Sequence, residues 1–268
     1  MRLTDTHCHL NLEHYRDDLE DVLNRAWDAG VDRILIPGTN LESSRTAVQL
    51  ADAHPNLFAA VGVHPNEATS WDAQTGQQLA ELAGHPKVVA IGEIGLDYYR
   101  QYAPHDLQNE IFRKQLDLAT KTNLPVIIHS RESLSDLWPI LSSWQSSLVQ
   151  GRSSIAEKPG VLHSFDGDLE TARKAVESRF FIGVTGPVTF QNARVRQEIV
   201  RNLPLEALLT ETDSPYLTPH PFRGRRNEPE FVLFVAEKLA DLHHLPLEGV
   251  ADITSKNADG LFSWRATD

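Results

Sequence analysis

A chain of 268 residues with 37 acidic against 25 basic side chains, a formal net charge of −12, cannot grip a polyanion over a broad basic face. Its 41% hydrophobic and 23% charged residues suit a globular protein with a substantial core, and no run of roughly eighteen apolar residues is present to cross a bilayer. The one cysteine, Cys8, permits no internal disulfide, and the opening MRLTDTHCHL lacks the apolar run of a secretory signal, so the cytoplasm is the expected compartment.

In chain order, short apolar runs rich in β-branched residues alternate with longer helical patterns. Strands are expected at Arg2–Thr6, Arg33–Ile36, Leu57–Val61, Val88–Ile91, Pro125–Ile128, Gly160–Leu162, Phe180–Gly183 and Ala207–Thr210. Such alternation predicts a parallel sheet, and about eight units are what a closed (β/α)8 barrel of the TIM type needs. Leu19, Val22, Leu23 and Ala26 repeat at i, i+3, i+4 and i+7, and Phe231, Val235, Leu239 and Leu242 recur at nearly helical spacing, so each set marks the core face of a helix. No linker, repeat or low-complexity tract divides the chain, and residues 1–268 are expected to form one barrel domain. SSWQSSLVQGRSSIAEKPG, Ser142 to Gly160, is rich in serine and small polar residues and is expected to be an extended surface loop, inserted on the face away from the C-terminal strand ends.

Barrel enzymes carry their catalytic groups at those C-terminal ends. In DTHCHLN, His7 and His9 share one face of an extended strand and could reach one ion, although a bare His-x-His is more often a chance pair on a polar strand end. The later runs FAAVGVHP, VVAIGEIG, PVIIHSRE, GVLHSF and LLTETDSP deliver His64, Glu93, His129, His163 and Asp213 in the same position. One histidine after a strand is ordinarily a satisfied hydrogen-bonding residue; so many at one end of one barrel point to a metal site. Imidazoles mixed with carboxylates suit zinc, manganese or similar ions. A bridging carboxylate would hold two ions roughly 3.5 to 4 Å apart, as in many phosphodiester-cleaving enzymes. Glu93 is the bridging candidate, since no lysine follows the fourth or fifth run.

These motifs, together with IGEIGLDYYR (Ile91 to Arg100), VTFQNA (Val188 to Ala193) and above all ETDSPYLTPHPFRGRRNEP (Glu211 to Pro229), resemble the TatD-type metal-dependent deoxyribonucleases of the amidohydrolase superfamily over almost the whole chain. The resemblance implies one ion held by His7, His9, Glu93 and Asp213 and a second by Glu93, His129 and His163, the metals being zinc, magnesium or manganese. It implies Asp213 as general base, Glu93 as bridge, and His64 either touching the scissile phosphate or standing behind the ligands. The implied reaction is hydrolysis of phosphodiester bonds in DNA, by 3′–5′ exonuclease action on single-stranded or frayed 3′ ends. Asn11 and Ser164 depart from the family's usual aspartate and cysteine, and neither is an expected ligand.

Substrate contacts are expected from Arg223 and Arg225, beside Arg226 in the loop after the eighth strand; the alternative is that this cluster pairs with Glu228 and Glu230 and anchors the loop. Tyr98, Tyr99 and Phe165 could stack on an unpaired base or merely line the rim. Glu211 is expected as an outer partner of the ligands. Two rivals remain: a small-molecule hydrolase of amides, lactones or esters on the same barrel, and a binding protein that has lost turnover; aminoacyl-transfer-RNA deacylation is a further possibility, compatible with action on nucleic acid. The arginine loop favours phosphate over the first, and the intact ligand set argues against the second.

Overall fold

The computed structural model describes residues 1–264. Eight parallel strands follow one another in sequence order around the sheet: β1 (Leu3–Asp5), β2 (Val31–Pro37), β3 (Leu57–Val61), β4 (Val88–Asp97), β5 (Val126–Arg131), β6 (Gly160–Leu162), β7 (Phe181–Val184) and β8 (Leu208–Thr210). Between and after them run α1 (Leu19–Asp28), α2 (Leu41–Ala53), α3 (Thr75–Ala83), α4 (His105–Thr122), α5 (Leu134–Gln150), α6 (Leu169–Glu177), α7 (Arg194–Arg201), α8 (Val232–His243) and α9 (Leu247–Phe262). This is the expected (β/α)8 barrel.

Its first and last strands meet at the top. The Thr6 N–H donates to the Thr210 carbonyl (3.1 Å), the Asp213 N–H to that of His7 (2.8 Å) and the His9 N–H to that of Ser214 (2.8 Å). The buried Asp5 carboxylate completes this seam by accepting from the Thr212 N–H (2.9 Å) and hydroxyl (2.6 Å).

Strand alternation divides the apolar residues into two layers. Ile34, Ile36, Leu57, Ala59 and Ile128 join the larger cluster beneath the helices, whereas Leu35, Phe58, Ala60, Ile127, Val161 and Leu209 fill the barrel's inside with Ala258, Leu261 and Phe262 of α9. Asp259 on α9 pairs with Arg2 and Arg33, fixing that helix across the N-terminal end of the barrel. Chemistry is thereby left to the opposite end.

Two expectations are corrected. Ser142 to Gly160 is not one extended loop, because α5 continues to Gln150. Leu137, Ile140, Leu141, Trp144 and Leu148 give that helix a buried stripe at helical spacing, and the intervening serines occupy its more exposed faces. Strand β4 likewise runs past Ile91 to Asp97, so Glu93 lies within it rather than after it. The β4–β5 register shifts between Ile91 and Ile94, and such an irregularity re-aims the side chain it carries.

Candidate metal centre

Beyond β1 the chain stays extended. Cys8 forms an isolated parallel bridge with Ser214 and is buried in the core, which leaves His7 and His9 turned together with their Nε2 atoms 3.2 Å apart. Glu93 places Oε2 at 3.4 Å from His7 Nε2 and 3.6 Å from His9 Nε2. Asp213, in a left-handed turn (φ 56°), places Oδ1 at 3.5 Å from His9 Nε2 and 3.8 Å from His7 Nε2. Donors bonded at about 2.0 to 2.2 Å to a tetrahedral ion stand about 3.3 to 3.6 Å from one another. Three of the separations, 3.4, 3.5 and 3.6 Å, fall within that shell, and those of 3.2 and 3.8 Å lie just outside it. The Nδ1 atoms of both histidines are buried without a protein partner among the described residues, so the pair is not a closed hydrogen-bond network of its own. This donor set fits a divalent metal.

A second group adjoins the first through Glu93. Its Oε1 hydrogen-bonds His129 Nδ1 (2.8 Å) and lies 3.7 Å from His64 Nε2. His163 sits nearer the other side: its ring stacks on His7 at 3.4 Å, Nε2 is 3.7 Å from Asp213 Oδ1, and Nδ1 hydrogen-bonds Glu211 Oε2 at 2.8 Å. All six ligand candidates therefore converge, with His64 beside Glu93 and His129, and His163 beside His7 and Asp213. Parity explains part of this. Ile127, Val161 and Leu209 point into the barrel, and two residues further on stand His129, His163 and Glu211.

Burial opposes charge throughout the site, yet charge survives where partners outweigh it. Burial would raise Glu93, but the imidazoles of His64, His7 and His129 hold it well below the usual carboxylate range. Asp213 is also depressed, its burial overcome by the hydrogen bond to His9 and by His163 and His7. His129, opposed by burial but paired with Asp97 and Glu93, is raised to about 9, and His163, opposed by burial but held by Glu211, to about 10. His64 goes the other way, lowered to about 3 by burial and by His129. The Asn66 N–H donates to its Nδ1 (3.1 Å), which leaves the ring proton on Nε2, the atom facing Glu93.

A cavity of about 710 Å³ opens above these groups, lined among others by His9, His64, Glu93, His129, His163 and Asp213. The expected substrate contacts divide. His64 lines it, whereas Arg223, Arg225 and Tyr98 do not. Arg223 lies over the Phe190 ring (4.6 Å) and Arg225 over Phe222 (5.6 Å). Tyr98 is engaged by Asp136 (3.0 Å) and Asn109 (2.9 Å) through its hydroxyl and stacks on His105. Arg226 pairs with Asp18 and Glu228, the anchoring role.

Asp97 joins the site although its sequence position alone gives it no role. It lies 3.4 Å from His129 Nε2 while accepting from the N–H groups of Tyr99 (3.0 Å) and Arg100 (2.9 Å). Its signal lies inside the motif IGEIGLDYYR, at the last position of β4.

A barrel with this histidine and carboxylate cage at its C-terminal mouth defines a metal-dependent hydrolase. The family model described as TatD related DNase matches residues 4–263, and the chain belongs to that family. It is 42% identical to the uncharacterized metal-dependent hydrolase YabD of Bacillus subtilis, over 97% of this chain and 98% of the relative. With a 3′-5′ ssDNA/RNA exonuclease TatD of Escherichia fergusonii it shares 34% identity over 96% of this chain and 98% of the other. The crystal structure of YJJV, a TatD homolog from Escherichia coli K12, superposes with a TM-score of 0.89 at 33% identity, covering 97% of this chain and 98% of that one.

Proposed function

We propose that this protein is a 3′–5′ exodeoxyribonuclease acting on single-stranded or frayed DNA ends in the cytoplasm, folded as one unit over residues 1–268. His7, His9, Glu93 and Asp213 hold one divalent ion, and Glu93, His129 and His163 a second. The observation that carries the reading is the approach of the His7 and His9 Nε2 atoms to both the Glu93 and the Asp213 carboxylates, at 3.4 to 3.8 Å, beneath an open cavity. A relative whose name gives it single-stranded DNA and RNA as substrates supports the substrate class.

Divalent ions, when bound, neutralise charge on the phosphate and make water acidic enough to attack near neutral pH. The residues supply the rest. Asp213 is ionised and faces the cavity, so it takes the proton as the water oxygen bonds to phosphorus and the bond from phosphorus to the 3′ oxygen of the shortened strand breaks; the phosphate departs on the released nucleotide and the 3′ oxygen takes up a proton from solvent. His64 stays neutral with its proton on Nε2, and donates it as a hydrogen bond to a non-bridging phosphate oxygen without drawing Glu93 away from its neighbours. Glu211 keeps the His163 ring in one orientation.

The test uses metal-stripped protein refilled with magnesium, manganese or zinc in turn, and 3′-tailed DNA labelled at its 5′ end, beside the matching RNA and the Glu93→Ala variant. A metal-dependent ladder of shortening products, absent in the variant, is the expected result. Uncut DNA under every metal, with metal still bound, overturns the reading and directs assay to amides, lactones and carboxylic esters.

A further inference from the structure

Two arginines that line the metal cavity, Arg100 and Arg131, pair with no carboxylate among the described residues. Arg131 ends β5, two positions beyond His129, and its guanidinium lies 3.8 Å above the Tyr99 ring, a contact that uses none of its N–H donors. Arg100 follows β4, the strand of Glu93, and gives one hydrogen bond to the Tyr102 hydroxyl (3.2 Å). Asp97 pins the turn that carries Arg100 by accepting from the Arg100 N–H. The third arginine of the cavity, Arg196, is already engaged by the Phe165 carbonyl (3.0 Å) and Asp166 (3.8 Å).

Two exposed tyrosines stand on the same rim, Tyr102 with the Arg100 guanidinium 5.7 Å over its ring. Tyr102 is 64% exposed and Tyr216 is 51% exposed, the latter three residues after Asp213 with its ring 6.4 Å from that of His9. A buried or structural tyrosine would be covered.

We propose that Arg100 and Arg131 grip the phosphate next to the scissile one, and that Tyr216 and Tyr102 receive the unpaired bases on either side of it. The rim is thus a reading site for single-stranded polynucleotide. The proposal rests on the phosphodiesterase reading and deepens it by naming the residues that select a single strand. The guanidinium fork matches two phosphate oxygens, and a tyrosine ring stacks on any base whose face is free. A base-paired strand offers no free faces. On a surface of net charge −12, this wall gives the backbone a local cationic route to the metal ligands.

The experiment compares kcat/KM on a short single-stranded oligonucleotide with that on bis(4-nitrophenyl) phosphate, a diester too small to span the rim. In the Arg100→Ala/Arg131→Ala variant the ratio of the two falls at least about tenfold, chiefly through KM for the oligonucleotide, and the salt dependence flattens by about 0.7 for each phosphate no longer neutralised. Arg173→Ala, which removes a charge from the exposed face of α6, keeps the salt slope. Tyr102→Ala and Tyr216→Ala each lower the ratio roughly fivefold or more and narrow the preference for single strands over blunt duplex, whereas Phe at either position restores both. Wild-type protein that cuts the oligonucleotide, with ratio, slope and strand preference unmoved in these variants, overturns the proposal and leaves the phosphodiesterase reading standing. Wild-type protein that cuts only the small diester overturns it as well. Failure to cut either phosphodiester removes the reading on which it rests.

Discussion

Glu211 has zero exposure, accepts from His163 Nδ1 at 2.8 Å and from the Ser164 N–H at 2.9 Å, and has no route to solvent. Its work is done through His163. Partners of this kind commonly set metal affinity by about 10- to 100-fold, so Glu211→Gln is expected to weaken metal binding by that much while the fold is kept. Direct metal titration, read beside circular dichroism, checks it. His64 carries a different prediction. With its pKa lowered to about 3 and its Nδ1 occupied by the Asn66 N–H, the role proposed for it is that of a hydrogen-bond donor and not of an acid. His64→Ala should lower kcat by about 10²- to 10³-fold, and His64→Gln, which keeps an N–H donor, should recover part of the loss. A pH–rate profile that lost a limb in His64→Ala would contradict the donor role.

At the scale of elements, β4 and α5 show what local pattern conceals. In β4, Gly95 has φ 142°, and a Cβ there would stand 2.0 Å from the His129 carbonyl, so the two strands that carry Glu93 and His129 approach closely only because glycine is present. In α5, serine-rich composition hides a core stripe. Trp144 is buried and its indole N–H donates to the Thr120 hydroxyl (2.9 Å), tying α5 to α4. Trp144→Ala is expected to destabilise the protein by about 3 to 5 kcal/mol. A position in a surface loop would cost within about 0.5 kcal/mol, and chemical denaturation separates the two.

For the whole molecule, metal, protons and stability are linked. In the metal-free site His129 and His163 hold their protons up to about pH 9 and 10, against an ordinary 6.5. A group raised in this way contributes stability that is complete below its unfolded value and lost as pH rises through its folded value. The chelated protein should accordingly lose thermal stability between about pH 6.5 and 10. Metal displaces those protons, so its affinity should climb over the same window, and calorimetry in buffers of different ionisation enthalpy should register proton release. Refilling the site at about a thousand times Kd should add about 4 kcal/mol of stability, seen as a rise in Tm over chelated protein.

The eight-strand barrel and the converging His7, His9, Glu93, His129, His163 and Asp213 were legible in the sequence, because strand alternation is a local signal and each polar residue directly follows, or sits within, an apolar run. Which ligand neighbours which was not. The placing of His163 against His7 and Asp213, the Asp5 seam between β1 and β8, and the approach of Asp97 to His129 join residues that are far apart in sequence or separated by a shift in register. Chain order also favoured Arg223 and Arg225 over Arg100 and Arg131, since a cluster is conspicuous and an isolated arginine is not. Only the closed barrel decided which guanidiniums line the cavity: it brings the ends of β4 and β5 up to the candidate ligands, while Arg223 and Arg225 rest on Phe190 and Phe222 outside that lining.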